Sequence, residues 1–156
     1  MEKNNSKVVE YKMINIKCKT FWRIIPFGRD KYVSRDVEEW KAPADISLVG
    51  ARIILLTDGD MQRAIDIYGA VVLDKPQEDF QHDALKKKHL FYGQRDCYQR
   101  CAGMQDLTML DYLPYPYCYK IKKDTPIYFV ALANKAGELV GNYDVLIDLF
   151  YVEEQK

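Results

Sequence analysis

The residues able to do chemistry are few and scattered. His82 stands beside Asp83, a pairing in which a carboxylate can orient an imidazole base, and His89 follows in the same polar segment. A general base also needs a nucleophile within reach. Local spacing supplies none, so solvated histidines on a helix surface are the plainer reading. Cys97 and Cys101 fall four apart and would share one face of a helix. A zinc site would still need two more ligands, brought by the fold from His82, His89, Cys18 or Cys118, and no CxxC pair is present. Reduced, buried thiols are expected, with disulfides as the alternative. Asp58 and Asp60 flank a glycine and read as a turn, because Met61–Ala64 lacks the ligand offsets of a calcium loop.

The motifs that would carry an activity are missing. There is no GxxxxGK[ST], GxGxxG, HExxH or GxSxG. The His-x-Thr/Ser repeat of two-histidine phosphoesterases fails at His82-Asp83-Ala84 and again at His89-Leu90-Phe91. No catalytic, cofactor-binding or metal-ligating residue is assigned, and no cofactor or small-molecule substrate is expected. Lys86-Lys87-Lys88, followed by Tyr92, Arg95, Tyr98 and Arg100, could in principle stack and neutralise a nucleic acid strand. Glu78, Asp79, Asp83 and Asp96 offset that field locally. Across the chain 23 basic and 23 acidic residues cancel, with a pI near 6.7, and a nucleic-acid partner is not expected.

Aromatic content is the feature left over: 12 Tyr, 6 Phe and 2 Trp in 156 residues. Tyr112, Tyr115, Tyr117 and Tyr119 are punctuated by Pro114 and Pro116, which makes a stiff, aromatic, extended run. Tyrosine offers a large contact area with only two side-chain torsions to freeze, so such a run suits an interface. The competing reading is that the rings cover one end of the fold. Trp22 and these four tyrosines are taken as interface anchors, with Trp40 a weaker candidate.

The elements that must hold these residues are mainly strands. Lys7–Lys19 alternates apolar and polar with a parity switch at Met13–Ile14 that reads as a β-bulge. Thr20–Phe27 continues as β, and Pro26 ends it or puts it at a sheet edge. Asp36-Val-Glu-Glu39 reads as a capping box before one helical turn. Ile46–Thr57 is apolar on both parities, the pattern of a strand covered on both faces. Ala64–Asp74 alternates, with a helix over Met61–Tyr68 as the alternative. Gln77–Tyr92 reads as partly helical, and a weaker helical pattern runs on through Cys97, Cys101 and Leu107–Leu110. Tyr117–Lys122, Ile127–Asn134 and Tyr143–Val152 complete the strands.

Strands that do not alternate with long helices disfavour a parallel sheet. The expected fold is mainly β, an antiparallel β-sandwich of jelly-roll-like or Greek-key type with a partly helical insertion around residues 77–113. One domain spans 1–156, with framework at 7–74 and 117–152. A chain of about 150 residues buries enough surface to need neither metal nor disulfide. The polar start, Met1–Lys7, has no apolar segment behind it that reads as a signal peptide, and no stretch approaches a membrane span.

Lys122–Asn134 (KKDTPIYFVALAN), a small-residue loop and Tyr143–Val152 (YDVLIDLFYV) together resemble the closing strand pair of viral capsid and capsid-decoration β-sandwich proteins. The resemblance lies in a Thr-Pro start to one strand and a polar-alternating last strand, over about a fifth of the chain. It implies a non-enzymatic structural protein of the virion, a capsid or capsid-decorating subunit that self-associates or joins a larger protein lattice, without a membrane. Its location would be the virion if viral, and otherwise the cytoplasm. The alternative is a small immunity-type or anti-defence module that blocks a partner protein through the 77–113 excursion. An enzyme using His82 or His89 with Asp83 or a cysteine is the third reading. Mutating both histidines separates it from the others.

Overall fold

The computed structural model describes residues 15–57, 65–95, 106–112 (backbone alone) and 118–154. Among them are β1 (Lys17–Phe27), β2 (Val33–Lys41), β3 (Ile46–Thr57), β4 (Ile65–Val72), α1 (His82–Lys87), β5 (Phe91–Arg95), β6 (Asp106–Tyr112), β7 (Tyr119–Ile121), β8 (Pro126–Lys135) and β9 (Gly141–Glu153). Hydrogen bonding sorts them into two antiparallel sheets. Sheet one runs β1-β9-β3-β6, with β7 continuing the β6 edge along the start of β3, and sheet two runs β2-β8-β4-β5. The chain changes sheet after β1, β2, β3, β5, β7 and β8, which is the crossing pattern of a jelly roll. The β-sandwich expected from the sequence is therefore the fold that forms.

Period-two patterning explains the core. Successive strand residues point to opposite faces, so Phe21, Ile25 and Phe27 of β1 face inward with Ile53 and Leu55 of β3 and Tyr143, Val145 and Ile147 of β9. Sheet two answers with Ile65, Ile67, Ile127 and Phe129. Aromatic rings bridge the layers: Phe21 stacks on Phe129 at 5.8 Å, and Trp40 lies 5.2 Å from Tyr151. Gly69 of sheet two sits directly against side chains of sheet one. A Cβ there would lie 3.2 Å from Ile53 Cγ2 and 3.3 Å from Val145 Cγ1, so a larger residue would push the layers apart.

Charges close one side of the sandwich. Lys19 and Arg23 sit on the inward parity of edge strand β1, facing Asp36 and Glu38 of edge strand β2. Arg23 bonds Asp36 at 2.8 Å and Glu38 at 3.0 Å, Lys19 reaches Glu38 at 3.2 Å, and the guanidinium lies 4.5 Å over the Phe21 ring. This arrangement corrects the capping box expected at Asp36–Glu39. The carboxylates lie in β2, where alternation places them opposite cations that only tertiary packing supplies. Burial would raise the Glu38 pKa, but the hydrogen bonds from Arg23 and Lys19 more than reverse that and hold it below the usual range. At one end, Lys135 is buried and its ammonium donates to the carbonyls of Leu139 (2.6 Å), Gly28 (2.7 Å) and Arg29 (3.4 Å), tying the β1–β2 and β8–β9 loops together.

The stretch 77–113 is partly helical, as expected, in α1, and it also gives a strand to each sheet: β5 pairs β4 and β6 pairs β3. The helical pattern read through Leu107–Leu110 is corrected, because that segment lies in β6, where backbone pairing with β3 decides the conformation. Ile65–Tyr68 is strand rather than helix. A bulge does occur, between Leu48 and Gly50 of β3. The one expected at Met13–Ile14 lies outside the described residues, as do the Asp58–Asp60 turn, Cys97 and Cys101.

Two outcomes follow. Because the folded-state pKa of Glu38 is lowered, its pairing contributes stability above the unfolded pKa of about 4.3 and loses it as pH falls through the folded value. Half-exposed pairs are screened, so Glu38→Gln should cost about 1 kcal/mol or less in urea unfolding at pH 7, with the difference from wild type shrinking toward pH 3. Gly69→Val should lower stability by about 2 kcal/mol through overpacking, and an unchanged melting temperature would contradict the close approach.

Candidate interaction surface

Two sheets have four faces. The two inner faces make the core, and the outer two differ. The outer face of sheet two is apolar (Tyr68, Ala70, Val72, Tyr128, Val130 and Leu132), and all six are buried. Their cover is the connection 73–90, which lays Phe80 and Leu85 across them as a strap. Arg35 fastens the strap by donating from Nε to the Phe80 carbonyl at 2.7 Å and from Nη2 to the Asp79 carbonyl at 3.3 Å.

Both histidines belong to this strap. The His82 ring stacks on Tyr68 at 4.9 Å and 10°, with Nε2 3.1 Å from the exposed Asp83 carboxylate. His89 Nδ1 lies 2.9 Å from the Leu85 carbonyl, to which it donates as the Nδ1–H tautomer, and its ring meets Tyr92 at 5.2 Å. The His–Asp pairing visible in the sequence does form, but its ring is laid on a tyrosine as a fastener. Desolvation raises the Tyr92 hydroxyl to about 12, so it stays protonated. Among the described residues no group of three His, Cys, Asp or Glu is placed to hold a metal ion, and no helix is long and apolar enough to cross a membrane. Cys18 is an exposed free thiol on β1 and Cys118 a half-buried one.

The outer face of sheet one has no strap among the described residues. Ile16, Trp22 and Ile24 are 59%, 54% and 57% exposed. The register draws out cross-strand rows: Trp22, Leu146 and Ile54 stand side by side, and Ile24, Asp144 and Leu56 form the next row. Leu146, Ile54 and Leu56 are half-buried. This corrects the reading of Ile46–Thr57 as covered on both faces. Its inward residues are buried, but its outward apolar residues are only half-covered by their neighbours. The strands fully covered on both sides are β4, between the core and the strap, and β8 over most of its length.

The polar row on this face is self-contained. Asp148 accepts from Thr20 Oγ1 at 2.7 Å and from Arg52 Nε at 3.1 Å, and its residue is only 5% exposed. Burial would raise its pKa, yet the Thr20 hydroxyl and the Arg52 guanidinium bring it below the usual carboxylate range. A paired, hydrogen-bonded charge can be covered without leaving an orphan ion.

The expected anchors are distributed unevenly. Trp22 stands on the open face. Tyr119 lies in β7, 37% exposed, with its ring edge-on to Phe91 at 5.9 Å, so it serves the fold as well. Tyr112 is placed by backbone register opposite Gly50 in edge strand β6. Tyr115 and Tyr117 lie outside the described residues. Trp40 is partly buried in the core. Sequence reasoning missed Ile24 and Ile16. The signal was present, since Trp22, Ile24 and Pro26 share the parity opposite to Phe21, Ile25 and Phe27.

No protein-family model matches the chain, and no curated protein matches it. Solved structures do. The decameric BFDV capsid protein is similar at 13% identity with a TM-score of 0.43, over 90% of this chain and 100% of that one. The Gx strain of infectious bursal disease virus is similar at 10% identity and a TM-score of 0.42, over 94% of this chain and 35% of that one. A chain of the giant freshwater prawn Macrobrachium rosenbergii nodavirus semi-empty VLP is similar at 9% identity and a TM-score of 0.40, over 99% of this chain and 91% of that one.

Proposed function

We propose that this chain is a non-enzymatic structural subunit, a capsid-building or capsid-decorating component of a virion, that works by binding copies of itself or a larger protein lattice. The observation that carries the reading is the open outer face of sheet one. Strands β1 and β3 carry large apolar residues on both parities, yet among the described residues nothing lies over their outward side, where Trp22 and Ile24 are exposed. Arg52 and Asp148 on this face are already matched to each other, so covering that pair leaves neither charge unpaired. The edges of the sandwich on the same side are guarded by Lys17, Lys19, Pro26, Glu38 and Lys41, which discourages uncontrolled strand addition and favours face-to-face docking. Both histidines hold the strap rather than a substrate. Trp22 anchors the contact in this reading, with Tyr112 and Tyr119 of β6 and β7 in the same sheet, and Tyr115 and Tyr117 are proposed as further anchors. A stable interface of the usual size buries about 800 Å² per partner.

Sedimentation velocity over a concentration series tests the reading. The wild type should associate, and the Trp22→Glu/Ile24→Glu double variant should stay monomeric with an unchanged melting temperature, because both side chains are exposed in the single copy. A wild type that is monomeric throughout, or a double variant that associates equally well, would contradict it. A monomer that instead binds one host protein stoichiometrically through residues 77–113 would favour the blocking module.

A further inference from the structure

At one end of the sandwich, residues 28–32 between β1 and β2 are tied to residues 136–140 between β8 and β9. Lys135 joins them. Its amide donates to the Tyr32 carbonyl at 2.8 Å, and its ammonium holds the carbonyls of Gly28, Arg29 and Leu139. The same ammonium sits 5.6 Å from the Phe27 ring centre and 5.4 Å from that of Tyr32. All these partners are neutral, so a buried cation is held without a carboxylate. Burying an ammonium is costly, and its hydrogen bonds serve to offset that cost. What they secure lies outside the core. Tyr32, Leu139 and Val140 are 44%, 43% and 64% exposed, and Val140 is the most exposed large apolar residue among those described. Gly137, at a φ of 80°, sets the turn that presents it.

Charge at this end is divided between the loops. Arg29 and Lys31 outweigh Asp30 in one, and Glu138 is the acid of the other. All four are exposed, and among the described residues none of them is ion-paired. Resting on the self-association reading above, we infer that this end is a second contact between copies: Glu138, Leu139 and Val140 of one copy pack against Lys31 and Tyr32 of the next. A partner carrying one sign of charge would repel one of the two loops, whereas a second copy matches both. The tips are already held in place, so docking loses little ordering entropy. Three apolar side chains are too few to hold two copies alone. The contact therefore acts after sheet one has joined them, and lets each copy reach a further neighbour.

Mass photometry of the full chain at low ionic strength tests the contact through the size to which assemblies grow. Val140→Glu should stop growth at the small oligomer held by sheet one, with the growth constant lowered at least about tenfold. Lys31→Glu and Glu138→Lys should each weaken growth about threefold, and the Lys31→Glu/Glu138→Lys double variant should recover it, because the pair is exchanged rather than lost. In Lys135→Met, hydrogen exchange should rise in residues 28–32 and 136–140 and growth should fall. Growth of Val140→Glu like wild type overturns the contact while self-association through sheet one stands, and gives this end to a partner other than this chain. A double variant as weak as the singles overturns the Lys31–Glu138 pairing, and unchanged exchange in Lys135→Met overturns the role of the buried lysine. A monomeric wild type overturns the underlying reading itself. Melting curves of each variant separate lost association from lost folding.

Discussion

The molecule is governed by a mismatch between apolar faces and available cover. Each sheet carries apolar side chains on both sides, and described chain covers three of the four resulting faces. Two meet in the core, where Phe21 stacks on Phe129 and Gly69 lies against Ile53 and Val145. The third lies under the strap of residues 73–90. The fourth, on sheet one, leaves Trp22 and Ile24 in water. Apolar burial is the dominant favourable contribution to association, at roughly 25 cal/mol per Å² removed from water, so an open face of this kind is a standing driving force for contact.

The rest of the design limits how that force is used. Arg23 and Lys19 lock to Asp36 and Glu38 at the edge between β1 and β2, placing charge where a free strand edge would otherwise recruit another strand. Asp148 is neutralised within its own face by Arg52 and Thr20. Lys135 fixes two loops through three carbonyls instead of an acid, so the β1–β2 and β8–β9 connections are held at the end of the sandwich. Charge is thereby placed at the β1–β2 edge and two loops are tied together, while Trp22 and Ile24 stand exposed on the outer face of sheet one.

Strand content and sheet type were legible in the sequence because period-two alternation is a local signal. β8, β9 and the inward halves of β1 and β3 could be read from it directly. What it hid was decided at long range. Asp36–Glu39 looks like a cap because the Arg23 and Lys19 that claim its carboxylates lie far along the chain. Leu107–Leu110 looks helical because its spacing fits both periods, and only pairing with β3 settles the matter. The apolar outward side of β3 was taken as evidence of cover. Among the described residues nothing lies over that side beyond its neighbours in the sheet, and Ile54 and Leu56 are half-buried. Of the exposed apolar residues on sheet one, Trp22 was singled out in the sequence for its aromatic type, whereas Ile24 needed the parity of β1 to be known first. The histidines carried no such signal, since stacking on Tyr68 and Tyr92 depends on where the strap lies.

The central claim is that the outer face of sheet one is buried between molecules. Hydroxyl-radical footprinting of Trp22 and Ile24 across a concentration series measures it directly, with Val37 on the edge of sheet two as internal reference. The account predicts that Trp22 and Ile24 lose reactivity as assembly proceeds while Val37 does not. Equal labelling of Trp22 in the monomeric and assembled protein would contradict it.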